Sequence, residues 1–542
     1  MQLSVFAAYH RAYALTDHNI QNTLYKRFEF RKRTILADKS LTKDEKSYVV
    51  KLLNKDFDKF KILDNEGTKR ICKNCHDECL ATLYCEHCVR NHLKSNFSNW
   101  TSGNNDIDNL IQQCQMETFR PDRIIEWIPY NKLQDIKYLT KGGCSEIYTA
   151  DWIDGRYDEW DSKEKQLKRT GGHQVILKKL ENVESANRNW FEESKFHLTI
   201  SNKWVQVVPC YGLTKDPSDC SDGNYMLVMF KLHNNLREYL QQNHNNLTWK
   251  RRFQIIDNIV DGIRKIHGEN AIHRDLHSGN ILLFNDTIIR ISDLGFCGPP
   301  DKPLNSLYGN LPYIAPEVIS GKETPFASDV YSIGMLMWEI SSGKPPFINC
   351  EHDYELALKI INGMRPKIIP GTPLEYKELI EQCWNAYPEK RPDINTLVNK
   401  ISEINRLNYQ NESNENQSIF RKLFVKIKLS KPKANIISKI NDTNSSDTST
   451  SRLFTSKVHQ YRNLPEPKNA TEEEQEVTLM ALAFPIILKI LIIKVIIIYQ
   501  NQVIYLKVLA KNCLKYLRIM QINSSNDNQD NYKEETIQVK KV

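Results

Sequence analysis

The chain has 542 residues, of which 40% are hydrophobic, 26% charged and 10% aromatic, with a net charge of +8. That length exceeds one ordinary core, so two or three structured units joined by linkers are expected. The charge is small for the size and is not gathered on a long basic helix or an aromatic-studded basic groove, so no nucleic-acid partner is expected.

The opening run from Met1 to His10 has no charged stretch ahead of an apolar core, so no secretory signal is expected, and neither a myristoylation start nor a prenylation cysteine is present. Thirteen cysteines without such a signal favour reduced thiols or a metal site over a disulfide framework, and a cytoplasmic or nuclear compartment. Residues 1–70 read as helical. Thr42-Lys-Asp-Glu45 has the form of a capping box, and Val49, Leu52, Leu53, Phe57 and Phe60 follow at helical spacing. Residues 71–95 hold two knuckles, Cys72-x-x-Cys75 and Cys85-x-x-Cys88, nine residues apart. Four such thiolates suit one tetrahedral, structural Zn2+, with Cys79, His76, His87 and His92 as alternates; a reduced Cys-rich turn is the other reading. Residues 96–130 are expected to be a connecting segment between this module and a larger domain.

From Asn131 to Arg406 a series of strings recurs in a definite order. Tyr138-Leu-Thr-Lys-Gly-Gly-Cys-Ser-Glu-Ile-Tyr-Thr-Ala150 reads as a glycine-bearing hairpin, Val175-Ile-Leu-Lys178 as an apolar strand ending in a lysine, and the charged insertion between them as a long exposed hairpin loop. Trp190-Phe-Glu-Glu-Ser-Lys-Phe-His197 carries two adjacent glutamates, and Tyr225-Met-Leu-Val-Met-Phe230 is a buried strand. An apolar stripe, Ile255, Ile256, Ile259, Val260, Ile263 and Ile266, precedes His273-Arg-Asp-Leu-His-Ser-Gly-Asn280. Ile291-Ser-Asp-Leu-Gly295, Ala315-Pro-Glu317, Ser328-Asp-Val-Tyr-Ser-Ile-Gly-Met-Leu-Met-Trp-Glu339 and Arg391-Pro392 complete the series.

Taken together these strings resemble the eukaryotic protein kinase family, its tyrosine-kinase-like branch in particular, over roughly half the chain. The resemblance implies an α+β, bilobal fold: an N-lobe of a small antiparallel sheet plus one helix (αC), and a mainly helical C-lobe. It implies ATP and Mg2+ as cofactors, protein substrates, and a signalling role. Gly142, Gly143, Ser145 and Ile147 would cover the phosphates, and Lys178 would hold them. Glu193 would orient Lys178, with Glu192 as its rival. Met229, Lys231 and Leu232 would border the adenine. Asp275 would accept the substrate hydroxyl's proton, and Asn280 and Asp293 would hold Mg2+. Arg274 would await a phosphorylated partner, with Ser306 and Tyr308 as candidates; Glu317 would pair with Arg391, and Asp329 would brace the catalytic loop.

The series departs from the family at Thr140 and Ser145, where glycines are usual, and at Leu294 in place of phenylalanine. His277 and Asn310 stand where serine/threonine kinases place lysine and threonine, while Tyr313 stands where tyrosine kinases place tryptophan. The expected activity is phosphoryl transfer to serine or threonine, with tyrosine open. The alternatives are a catalytically weak pseudokinase scaffold and a zinc-module adaptor.

Beyond Arg406 the composition changes twice. Residues 407–476 are rich in Asn, Ser, Thr and Lys, and read as a disordered linker. Residues 477–542 form an Ile/Lys-rich tail. Its 477–499 stretch is long enough to span a bilayer, but Lys489 and Lys494 offset roughly −5 to −9 kcal/mol of apolar insertion energy. Membrane contact, a buried or self-associating segment, and translated non-coding sequence all remain open for it. Nothing in the sequence sets an oligomeric state.

Overall fold

The computed structural model describes residues 2–141, 145–180, 190–218, 225–284, 288–300, 307–407, 409, 456–461, 464–471, 473–474 and scattered positions between 507 and 515. It divides into two units, Met1–Asn469 and Ala470–Val542. In the second, Thr471 and Glu474 exchange backbone-to-side-chain hydrogen bonds of 2.8 and 3.1 Å. Residues 477–499 and Ser306 lie outside the described residues, as do Gly142 and Gly143. Among the described residues no helix is long and apolar enough to cross a membrane.

The first unit opens with three helices, α1 (Gln2–Ala14), α2 (Leu24–Ala37) and α3 (Lys43–Asp64). Thr23 caps α2, and Thr42 and Glu45 close the expected capping box on α3. Their apolar faces meet in one cluster that includes Val5, Ala12, Phe28, Ile35, Val49 and Leu53. A short hairpin follows, β1 (Arg70–Ile71) and β2 (Glu78–Cys79), then α4 (Glu86–Ser95), α5 (Asn105–Met116) and β3 (Glu126–Trp127).

The small lobe contains β4 (Leu133–Lys141), β5 (Glu146–Trp152), β6 (Tyr157–Asp161), β7 (Gln166–Arg169), β8 (His173–Lys179), α6 (Trp190–Lys203), β9 (Cys210–Lys215) and β10 (Tyr225–Phe230). Its main sheet has six strands in the order β3-β9-β10-β8-β5-β4. Five are mutually antiparallel, as expected, but β3 adds in parallel beside β9, pairing Glu126 with Gly212. Gly212, at φ +149, is required there: a Cβ would stand 1.7 Å from the Glu126 carbonyl oxygen.

The large lobe follows: β11 (Asn234–Asn235), α7 (Leu236–Asn243), α8 (Trp249–Gly268), β12 (Ile281–Phe284), β13 (Ile288–Ile291), β14 (Leu307–Gly309), α9 (Pro316–Ile319), α10 (Phe326–Ser342), α11 (Tyr354–Ile361) and α12 (Leu374–Cys383). Residues 394–407 are also helical. Every residue of α10 from Ser328 to Ser341 is buried, as expected of a helix that is apolar on all sides. The α8 stripe packs into the same core.

Three segments differ from their expected role. Residues 96–130 are more than a connector: α5 and β3 are packed parts of the small lobe. The insertion between Ala150 and Val175 is a hairpin, β6–β7, but it is docked, with Tyr157, Trp160 and Leu167 against the N-terminal module. Part of the stretch read as a disordered linker is structured. Lys457–His459 form β15, paired antiparallel with β14 through Leu307–His459, Tyr308–Val458 and Gly309–Lys457.

Candidate active site

Strand β8 alternates Val175 and Leu177 into the sheet's buried face, which sends Lys178 to the other side, toward the lobe junction. Lys178 is only 5% exposed, so its ammonium needs partners. It lies 2.8 Å from Glu193 Oε1 and 2.6 Å from Asp293 Oδ1. Of the two adjacent glutamates on α6, Glu193 is thus the one facing Lys178. His197, one helical turn further along the same face, accepts a hydrogen bond from the Leu294 N–H at 3.2 Å. This contact ties α6 to the Asp293-Leu-Gly295 turn.

The loop from His273 to Asn280 is held from below by Asp329. Its carboxylate accepts from the His273 N–H at 2.8 Å and the Arg274 N–H at 3.1 Å, and meets His267 Nε2 at 2.8 Å. Burial alone would raise the Asp329 pKa, but these hydrogen bonds outweigh it and hold the carboxyl below its ordinary range. Arg274 and Asp293 both have left-handed backbones, at φ 67 and 58, a conformation costing about 1–3 kcal/mol that the surrounding contacts sustain. The Arg274 guanidinium donates to the Phe296 and Pro299 carbonyls, so segment backbone already serves it. Tyr308 is buried, with its ring stacked on Phe296 at 3.7 Å. Glu317 and Arg391 form a buried bidentate pair, both contacts 2.7 Å.

Asp275 is 4% exposed. Asn280 donates from Nδ2 to the Asp275 carbonyl at 2.8 Å, which turns its amide oxygen away from that residue. Asp275 Oδ1 accepts a hydrogen bond of 2.7 Å from the hydroxyl of Ser456, and Ser456 Oγ lies 3.0 Å from His277 Nε2. Ser456 directly precedes β15 in the region read as linker, so sequence reasoning missed it. His197 was missed too, although its position four residues after Glu193 was a readable signal. Ser145 is buried at the end of the glycine-bearing hairpin, and Ile147 pairs with Lys178 across β5 and β8. Met229 is buried in β10, Leu232 packs on the small-lobe cluster, and Lys231 Nζ donates to Gln174 Oε1 at 2.9 Å.

Away from this site, the Sγ atoms of Cys72, Cys75, Cys85 and Cys88 all lie within 4.8 Å of one another. Cys72 and Cys88 approach to 3.7 Å, and Cys75 and Cys85 to 3.6 Å.

Residues 133–401 match the sequence profile of the protein tyrosine and serine/threonine kinase family. The chain is 33% identical over 242 residues to a dual serine/threonine and tyrosine protein kinase of Pimephales promelas, covering 43% of this chain and 26% of that protein. It is 35% identical over 199 residues to the human protein of the same description, covering 36% of this chain and 21% of that one. The chain thus spans about a quarter of the length of these relatives. The profile match covers the lobes and the loop just described, and the chain therefore carries a protein kinase domain.

Proposed function

We propose that this chain is an ATP-dependent protein kinase that transfers the γ-phosphoryl group to serine or threonine of protein substrates in intracellular signalling. One observation carries the reading: two closed sets of contacts, Glu193–Lys178–Asp293 and Asn280–Asp275, present together at the lobe junction. Lys178 would bind the α- and β-phosphates, with Glu193 fixing its direction. Asp275 would take the proton from the attacking hydroxyl, and Met229, Lys231 and Leu232 would border the adenine. The Asp293 carboxylate and the Asn280 amide oxygen are hard oxygen donors that fit Mg2+. That ion, when bound, neutralises charge on the phosphate oxygens. Gly142, Gly143, Ser145 and Ile147 remain the proposed phosphate cover.

Serine or threonine is favoured over tyrosine by Tyr313 and by a serine hydroxyl, that of Ser456, standing on Asp275. The tyrosine-kinase-like branch remains the proposed placement. A scaffold without turnover would rest on Thr140, Ser145, His277 and Leu294, yet all five polar groups of the two contact sets are present.

The test is phosphotransfer from labelled ATP with Mg2+ by the full chain to a generic protein substrate, followed by phosphoamino-acid analysis. The parent is expected to label serine or threonine, with Asp275→Asn and Lys178→Met each about 10²–10⁴-fold slower. A folded parent no faster than both variants would end the enzyme reading.

The cysteine module is proposed to hold a structural zinc. Zn–S bonds of about 2.3 Å put tetrahedral sulfurs about 3.8 Å apart, close to the 3.6 and 3.7 Å pairs. Reduced thiols and MgATP both suit the cytoplasm.

A further inference from the structure

We propose that Ser456 is a phosphoacceptor for the chain's own active site, and that residues 456–469 are an intramolecular substrate expelled once Ser456 is phosphorylated. The proposal rests on the kinase reading above and names one substrate of that site.

The described residues of the segment, 456–461 and 464–469, are anchored on the large lobe at several points. Beyond the β14–β15 pairing, His459 Nε2 donates to the Gly309 carbonyl at 3.0 Å, and Tyr461 and Leu464 pack against the large-lobe core. The Pro465 carbonyl accepts from Ser320 at 3.2 Å, and Lys322 pairs with Glu466. The Lys468 N–H donates to the Ile361 carbonyl at 2.9 Å, and Asn469 accepts from the Ala386 N–H at 2.8 Å. So polar a stretch would not order itself without such partners. Together they fix where Ser456 falls, and it falls on Asp275 with only 8% of its surface exposed.

The hydroxyl is oriented as a nucleophile. His277 Nδ1 accepts from the Gly279 N–H at 3.1 Å, so its ring proton sits on Nε2 and points at Ser456 Oγ. Ser456 therefore accepts from His277 and gives its own hydrogen to Asp275, with a lone pair left for phosphorus. In the step, the Oγ–P bond forms and the bond from Pγ to the leaving β-phosphate oxygen of ATP breaks. That oxygen departs on ADP with the bonding pair, and the hydroxyl proton passes to Asp275, which then releases it to solvent and is again a carboxylate. The product carries a charge of about −1.5 to −2 beside the Asp275 carboxylate. A contact that was a hydrogen bond of 2.7 Å becomes a repulsion between like charges. His277, with one N–H to offer, cannot balance it, and the strand leaves.

The experiment follows the full chain with Mg2+, ATP and an added serine-containing protein, reading Ser456 occupancy by mass spectrometry and external labelling in parallel. Occupancy should rise with a first-order rate constant that is independent of chain concentration. External labelling should show a lag that ends as Ser456 fills, then run several-fold faster. Ser456→Ala should stay at the slow rate throughout, and the doubly substituted Tyr461→Ala/Leu464→Ala chain should start without a lag. External labelling with Ser456 left bare overturns the proposal and spares the kinase reading. A rate constant that grows with chain concentration overturns the intramolecular route. Silence toward both substrates overturns the kinase reading, and the proposal with it.

Discussion

At the scale of single residues, His277 is the departure with the clearest chemistry. A hydrogen bond to a nucleophile needs a donor at the right place, and the imidazole delivers one N–H to the hydroxyl on Asp275. Lysine, with a rotatable ammonium on a long stem, could reach the same place. His277→Lys is therefore expected to keep kcat close to that of the parent, while His277→Ala loses about 3–10-fold, as expected for a neutral hydrogen bond worth about 0.5–1.5 kcal/mol. Equal losses in the two variants would show that the position serves packing, not donation. Leu294 is explained differently. Its contribution is the backbone N–H held by His197, so the side chain need only be apolar and buried, and it is fully so.

At the scale of elements, the pairing of α5 with α6 matters most. Ile107, Leu110, Ile111 and Cys114 share a buried cluster with Leu198 of α6, and Asn202 of α6 donates to the Cys114 carbonyl at 3.4 Å. Helix α6 carries Glu193, so α5 braces the Lys178 pair from behind. Ile111→Ala should cost about 2–5 kcal/mol of packing and lower phosphotransfer tenfold or more. Ile35→Ala, an equal truncation in the N-terminal helical cluster, should cost similar stability with little change in rate. If both variants slow the reaction alike, α5 acts only through general stability. The loop from His273 to Asn280 was legible because its residues are contiguous, so local spacing alone places His273, Asp275 and Asn280 together. The stripe of α5 was equally periodic, but nothing in its own residues says which helix it covers. Ser456 gave no local sign at all. Its meaning comes from register with β14, a strand far away in the chain, and its sequence neighbours have the polar composition read as a linker.

At the scale of the molecule, the N-terminal module and the small lobe meet through the β6–β7 hairpin. Trp160 packs against the cysteine cluster, and Lys51 and Lys55 of α3 reach Glu159 at 2.6 and 3.6 Å. Surface ion pairs of this kind contribute at most about 1 kcal/mol each, so the apolar contacts with the module carry the joint. Elemental analysis of the purified chain is expected to find one zinc per chain, lost in Cys85→Ser. Removing it should raise hydrogen exchange in the hairpin as well as in the knuckles, because Trp160 loses its support. A chain purified under reducing, chelator-free conditions with no bound metal would sink the zinc assignment.

Strand β15 pairs with β14 from within the same chain. A competitor borne on the same chain acts at an effective concentration on the order of mM when its connection spans the distance. An outside protein that pairs with β14 must displace it, so its apparent affinity is its intrinsic affinity reduced by the fraction of time the groove stands open. A Michaelis constant measured on added peptides thus reports the grip of His459, Tyr461 and Leu464 on the large lobe as much as the fit of the peptide itself.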